Sequence, residues 1–533
     1  MNQNRALWLA LACGACAAPP KPAHRIPTAE LAAHVRFLGD DRLEGRGVGS
    51  RGDELARLYI ATQLEAHGLR PGCQDGTWQQ RVPILGITTA VTTTLQASGV
   101  AGQASFQAPD DFTAVAGSPA AEAAWQDAEL VFVGYGITAP EQQWDDFGAQ
   151  DLTGKVLLVM NNDPADDPAR FAGKTRLYYG RWSYKFEEAA RRGAVGAVIV
   201  HTNESAGYPF QVVQANHGRE NFWLPFRDGV PTLPIRSWCT EAAAKQLCAL
   251  GGQDLDQLRA RAEQGNQPPV PLGVKLRLGV ANTMRELRSA NVVGLLPGHH
   301  PTLRDEYVVV TAHFDHLGIG KPRGEDAIYN GAVDNASGCA GLLALARATA
   351  AAPPARSVLF VSVTAEESGL LGSQFFAENP PVARERMVAN FNVDGLNIWG
   401  PTRDVEFIGH GKSSLTELAS RLAEARGRRV EPDSSPDLGL FYRSDHFNFA
   451  RIGVPAAYFK AGKDFLDRPE ERRRMKGSYT TVHYHQPSDE LAPWWNFDGA
   501  ALDLELLLDC LLATANDRQV PTWTPGDEFA ARR

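Results

Sequence analysis

Residues 307–338 read YVVVTAHFDHLGIGKPRGEDAIYNGAVDNASG. The apolar run Tyr307 to Ala312 reads as a buried parallel strand. It breaks abruptly into His313-Phe-Asp315-His316-Leu-Gly318, and a polar loop leads to Gly331-Ala-Val-Asp334-Asn335-Ala-Ser-Gly338. Cys339 to Ala350 then follows, rich in small residues and Leu at helical spacing. Strand, loop, acidic turn and helix form one unit of an open α/β sheet. In such sheets ligands bind in the crevice outside the carboxyl ends of the strands. Here that position holds imidazole and carboxylate groups. A lone His or Asp at a strand end is commonly a cap or a surface group, so the reading rests on several such sites converging.

Working outward, the C-terminal half repeats the same grammar. Ser289 to Pro297 is a strand into a turn; Ser357 to Val363 is a strand before Thr364-Ala-Glu366-Glu367-Ser-Gly-Leu-Leu-Gly-Ser373; Met387 to Val393 is a strand before Asp394. Leu415 to Arg426 reads as an amphipathic helix, Pro455 to Phe459 as a strand and Asp503 to Ala513 as a closing Leu-rich helix. Alternation of this kind predicts an α/β fold with a mostly parallel sheet and helices on both faces. On the N-terminal side, Pro27 to Gly68 reads as helix, loop, helix, with Thr28 able to cap the first helix and Gly68 ending Asp53 to His67. The glycine-rich loop Leu43 to Ser50 lacks the Lys-Ser/Thr of a phosphate-binding loop and is structural or substrate-facing. From Ile84 to Gly117 alternating Thr, Val and Ala suggest strands. A second α/β unit runs from about Glu129 to Leu278, with strands at Leu130 to Gly134, Lys155 to Met160 and Ala194 to Val200 and a helix around Tyr184 to Arg192. Composition shifts near Gly117 and Leu287 divide the chain into residues 26–117, the N-terminal part of the main domain, 118–285, an inserted domain, and 286–533, the catalytic domain.

The chain has 533 residues, 44% hydrophobic and 22% charged, enough for two or three domains with cores of their own. Its net charge of −9 is spread without a basic block, which argues against nucleic acid as the main partner. Residues 1–25 have the positive start, short apolar centre and small-residue end of an export signal. Small residues before Cys13 and Cys16 resemble a bacterial lipoprotein box, which would attach the chain to a membrane through a lipidated cysteine; an exported, periplasmic or secreted protein of the bacterial envelope is the expectation. No other run suits a membrane helix. The remaining cysteines, Cys73, Cys239, Cys248, Cys339 and Cys510, are too scattered for a disulfide scaffold or a Cys-type zinc site. Cys239 and Cys248 are near enough in sequence to pair, although two unpaired thiols is the plainer reading.

His313, Glu366, Glu367 and Asp394 each follow a strand, Asp334 opens a helix returning across the same sheet, and His485 lies in a loop able to fold over that edge. Imidazole and carboxylate groups suit a borderline metal such as zinc. Five ligands are too many for one tetrahedral zinc with an open position and suit two ions sharing a carboxylate. The neighbouring Glu366 and Glu367 point differently, so one can bind metal while the other faces the water.

At these residues the sequence resembles the M28 family of zinc aminopeptidases, in the branch with an inserted protease-associated (PA) domain. The resemblance is carried by His313-Phe-Asp315, Gly331 to Gly338, Ala365 to Ser373, Asn392-Val-Asp394, Ser444-Asp445-His446 and Tyr484-His485-Gln-Pro-Ser-Asp489. It implies a zinc exopeptidase-like fold and two zinc ions per chain bridged by Asp334, with His313 and Asp394 completing one site and Glu367 and His485 the other. It further implies Glu366 as general base, Asp315 accepting the other ring N–H of His313, Tyr484 stabilising the oxyanion, a cis Asp334-Asn335 bond, and a peptide with a free N-terminus as substrate. His316, His446 and His483 have no ligand role in that pattern and are expected to pack or hydrogen-bond. The alternatives are a relative acting on carboxy-terminal or other amides, a one-metal glutaminyl cyclase, and an inactive receptor-like binding protein, which would lack ligands that are all present here. Side-chain preference and oligomeric state are not legible.

Overall fold

The computed structural model describes residues 26–164, 170–214, 217–265 and 267–530. The export leader read at residues 1–25, with Cys13 and Cys16, lies outside them. Two helices open the described chain. The first, α1 (Thr28–Leu38), follows Pro27; Thr28 is thus its first helical residue rather than its cap. The second, α2 (Arg51–Ala66), begins two residues before Asp53 because the Ser50 hydroxyl accepts the Asp53 amide at 3.2 Å.

The long strand Val270–Leu296 comes next in the argument because everything else pairs along it. Its last residues, Val292 to Leu296, run antiparallel to Ser357–Val363. We name the three central parallel strands β1 (Tyr307–His313), β2 (Ser357–Val363) and β3 (Met387–Asn392), with β1 between the other two. Ala456–Ala461 continues parallel to β3, Asp404–Ile408 lies antiparallel to it, and Arg429–Pro432 forms the edge. The sheet is therefore mostly parallel. Val308, Val310 and Ala312 of β1 face a core shared with α1, α2, the helix α3 (Gly338–Ala350) and the closing helix Asp498–Asn516. Val309 faces the opposite core, with Phe376 and Phe449 from helices Leu371–Glu378 and His446–Arg451. Helices on both faces explain why the strand is apolar at successive positions instead of alternating.

At its other end the long strand pairs with Glu122–Phe132, from which the sheet continues through Val156–Met160, Gly196–His201, Ile235–Thr240 and Phe112–Ala116. These strands surround a second core that includes Trp125, Phe132, Leu158 and Val200. Phe112–Ala116, expected with the N-terminal part of the main domain, pairs with Ile235–Thr240 of this second lobe. The long strand passes residue 285, where the sequence suggested a boundary, without a break; Thr283 to Glu286 are exposed there, which gives the segment a linker's composition. Gln79–Gly99 runs beside it for most of its length. Cys239 and Cys248 are buried and unpaired. No helix among the described residues is long and apolar enough to cross a membrane.

Candidate metal centre

Three adjacent parallel strands end at one edge and deliver their next residues there. β1 ends on His313, β2 is followed by Glu366 and Glu367, and β3 by Asp394. Asp334 arrives from the turn before α3, and His485 from the segment after the short helix Tyr479–His483. The two imidazoles reach opposite oxygens of one carboxylate: His313 Nε2 is 3.3 Å from Asp334 Oδ1, and His485 Nε2 is 3.2 Å from Asp334 Oδ2. His313 Nε2 also lies 3.4 Å from Asp394 Oδ1 and 4.0 Å from Glu366 Oε2. His485 Nε2 lies 3.1 Å from Glu367 Oε2. All the residues expected as ligands thus meet, in two groups that share Asp334.

The turn holding Asp334 is fastened from several sides. Asp489 accepts the Val333 and Asp334 amides at 3.0 and 3.2 Å, and Tyr479 donates to the same carboxylate. Asn335 Oδ1 accepts the Gly338 and Gly395 amides, both at 2.9 Å, tying this turn to the one that carries Asp394. The Asp334-Asn335 peptide is cis. Gly331 has φ +56, and a Cβ there would meet Asp334 O at 2.1 Å and the His316 ring at 2.4 Å, so only glycine lets the chain approach this closely. Ser444 donates to Asp394 Oδ2 at 2.5 Å.

Arg46 is the largest unexpected contributor. Fully buried, its guanidinium donates to the carbonyls of Leu38, Phe314, Asn330 and Gly331 at 2.5 to 2.9 Å. Phe314 follows His313 and Gly331 precedes Asp334 by three residues, so one side chain from the glycine-rich loop holds both ligand-bearing segments.

One expectation is corrected. The Asp315 carboxylate stands 3.8 Å from His313 Nδ1, and the ring instead contacts the Asp315 main-chain oxygen at 3.2 Å. The carboxylate faces β2, where it accepts the Glu366 and Glu367 amides at 3.1 and 3.4 Å and so positions the glutamate pair. His316, expected to pack or hydrogen-bond, hydrogen-bonds inside the second group: its Nδ1 lies 2.6 Å from Glu367 Oε1, and a donor atom of its ring is within 4.8 Å of donors from Asp334 and Glu367. His446 is buried against Phe441 and Tyr458, and His483 contacts Ser488. Tyr484 stacks on His485 with ring centroids 3.9 Å apart and is half exposed.

The electrostatics follow from burying so many like charges. Burial pushes Glu366 well above the ordinary carboxyl range, opposed by His313 and reinforced by Glu367 and Asp394. Burial also raises Asp315, to about 7. For His485 burial works against protonation, but Glu367 and Asp334 outweigh it and lift the ring to about 10. The site suits a divalent metal on a separate ground: the buried Nε2 atoms of His485 and His316 have no partner in hydrogen-bonding geometry, although two carboxylates lie within 3.2 Å of the former. Mixed imidazole and carboxylate donors of this kind match zinc.

An α/β sheet with imidazole and carboxylate donors at adjacent strand ends defines the structural class. Residues 291–503 match the model of Peptidase family M28, a span that contains His313, His316, Asp334, Glu366, Glu367, Asp394 and His485. The "Glutamate carboxypeptidase 2 homolog" of Caenorhabditis elegans is 23% identical over 360 residues, 58% of this chain and 43% of that protein. "Aminopeptidase NAALADL1" of Mus musculus is 31% identical over 182 residues, 31% of this chain and 23% of that protein. The chain thus spans less than half the length of these curated relatives. Among solved structures, "Aminopeptidase from Aneurinibacillus sp. strain AM-1" has the same fold, with a TM-score of 0.52 at 18% identity over 93% of this chain and 96% of that one.

Proposed function

We propose that this chain is a zinc aminopeptidase that binds two zinc ions and removes N-terminal residues from peptides. The observation that carries the reading is the Asp334 carboxylate, one oxygen toward His313 and the other toward His485, with Asp394 and Glu367 completing the two groups. His313, Asp334 and Asp394 would hold one ion, and His485, Asp334 and Glu367 the other. When bound, zinc supplies Lewis acidity to a scissile carbonyl and lowers the pKa of an adjacent water. Glu366 takes the proton from the attacking water at its carboxylate and returns it to the leaving amine nitrogen, a role that suits a group whose burial favours the protonated form. Asp315 keeps Glu366 and Glu367 in different directions by holding both amides. Tyr484, stacked on His485 at the exposed rim, would stabilise the developing oxyanion. The second lobe is read as a protease-associated domain beside the cleft, with a part in substrate access.

The mouse aminopeptidase among the relatives favours an amino-terminal substrate; the worm carboxypeptidase homologue favours a second reading, cleavage at the carboxyl end. A panel of aminoacyl and N-blocked peptides separates them, since an aminopeptidase needs the free amine. The mechanism is tested by two neighbouring substitutions. Glu366→Gln should keep both zinc ions and lose roughly 100-fold to 10,000-fold in kcat; Glu367→Ala should lose metal. Zinc loss in Glu366→Gln with full occupancy in Glu367→Ala would reverse the assignment.

A further inference from the structure

A second group of metal-type donors lies between α1 and α2 and shares no residue with the strand-end centre. Glu30 and His34 are four residues apart on α1 and therefore on one helix face. His67 caps the C-terminal end of α2, two turns beyond Tyr59. One donor atom from each of Glu30, His34 and His67 lies within 4.8 Å of the others, and His34 Nε2 is 3.9 Å from Glu30 Oε1. That separation falls within the 3.1 to 4.0 Å spread at the strand-end centre.

The orientation of the rings is what makes this a site. His34 Nδ1 is engaged by the Tyr59 hydroxyl at 2.9 Å, which turns Nε2 toward the other two residues. His34 is 95% buried, its exposure being 5%, and the Nε2 atoms of both His34 and His67 are buried without a hydrogen-bond partner. A buried imidazole nitrogen is rarely left unpaired, and here each histidine of the cluster has one. Arg347 of α3 donates through Nε to both Glu30 oxygens at 2.8 and 2.9 Å. It fixes the carboxylate and cancels its charge, yet a carboxylate has roughly four acceptor positions and keeps some free. Burial, opposed by Glu30, lowers the pKa of His67, so its ring is neutral and offers a lone pair.

We infer that Glu30, His34 and His67 form an additional binding site for a borderline divalent cation, zinc being the best match, that braces α1 against α2. Two imidazoles and one carboxylate leave a position for water in a tetrahedral shell. Tyr59 orients one ligand and Arg347 another, as outer partners do in metal sites. Because both helices pack on α3 behind the strand-end centre, the ion would stiffen that wall without taking part in chemistry.

The test is metal stoichiometry of the full chain, stripped with chelator, dialysed against zinc and measured by mass spectrometry. His67→Gln is the informative variant, since His67 is only half buried. It should hold about one zinc fewer than the unmodified chain, and the same decrement should appear in a His485→Ala background, where the strand-end centre is impaired. His34→Gln, its fold checked by circular dichroism, should repeat the loss. In the His485→Ala background, zinc should still raise Tm, and His67→Gln should abolish that rise. An unchanged metal-to-protein ratio in both histidine variants would overturn the inference and assign the space to a bridging water, whether or not the metal-free protein is destabilised.

Discussion

Arg46→Met keeps most of the side-chain stem and removes the guanidinium. Four buried carbonyls, those of Leu38, Phe314, Asn330 and Gly331, then lose their donor. A buried acceptor left unpaired costs about 1–3 kcal/mol, so four of them set an upper range near 4–12 kcal/mol. Against this stands the recovered desolvation of a fully buried cation, several kcal/mol in its own right, and relaxation of the carbonyls. A net loss of roughly 2–4 kcal/mol is expected, in the upper part of what single substitutions do. The loss is directional: the end of β1 and the turn before Asp334 lose their common tie, so metal affinity should fall together with stability. Arg46→Lys should be intermediate, because one ammonium cannot reach four divergent acceptors. Thermal unfolding with and without zinc, beside metal analysis, reads both effects. If Arg46→Met unfolded within a degree of the unmodified chain and kept its full zinc, the guanidinium would not be what holds the ligand segments.

Other outcomes can be stated more briefly. His446 lies between Phe441 and Tyr458, and burial, opposed by a hydrogen bond to the Phe441 backbone, drives its pKa to about 3 from an ordinary 6.5. The unfolded chain therefore takes up this proton first as pH falls, so the stability tied to the neutral ring is complete above about 6.5 and erodes below it. At pH 5 that amounts to roughly 2 kcal/mol; His446→Phe should flatten this part of the acid limb in denaturant midpoints, and an unaltered limb would count against it. Gly338→Ala places a Cβ 2.0 Å from Asn335 Oδ1 and 2.6 Å from Val393 O, so it should displace the Asp334 and Asp394 turns together and reduce zinc retention during dialysis. The apolar stretch Ala6 to Ala12, read as the centre of an export leader, should be missing from protein recovered in the envelope or medium; intact mass beginning at Met1 in that fraction would contradict the reading.

The strand-end chemistry was legible because it is written in side-chain types. Runs such as Tyr307 to Ala312 and Ser357 to Val363 stop on His, Glu or Asp, and parallel topology brings consecutive strand ends to one edge. Arg46 left no comparable mark. Its partners are main-chain oxygens up to 285 residues away, and every residue type carries one. The second partner of Asp315 was hidden for the same reason, since amide N–H groups of Glu366 and Glu367 have no signature. For His316 a hydrogen-bonding role was legible, but its partner Glu367 is a matter of three-dimensional placement. Cluster formation by Glu30, His34 and His67 needed the crossing of two helices, which spacing along either one cannot reveal.

The unbroken strand Val270–Leu296 has a consequence for how the two lobes are coupled. Its end is in register with β2 and its beginning with Glu122–Phe132, so a single backbone phases the two halves of one sheet. Side chains alternate faces with a period of two. Inserting one residue among the exposed Thr283 to Glu286 would therefore invert inside and outside for one lobe relative to the other, while inserting two would restore parity and shift only the offset. The lobes are geared on one shaft, and an odd-length change in the stretch between them is tolerated only if a bulge takes up the extra residue, as the register shifts near Gly279 already do on the same strand.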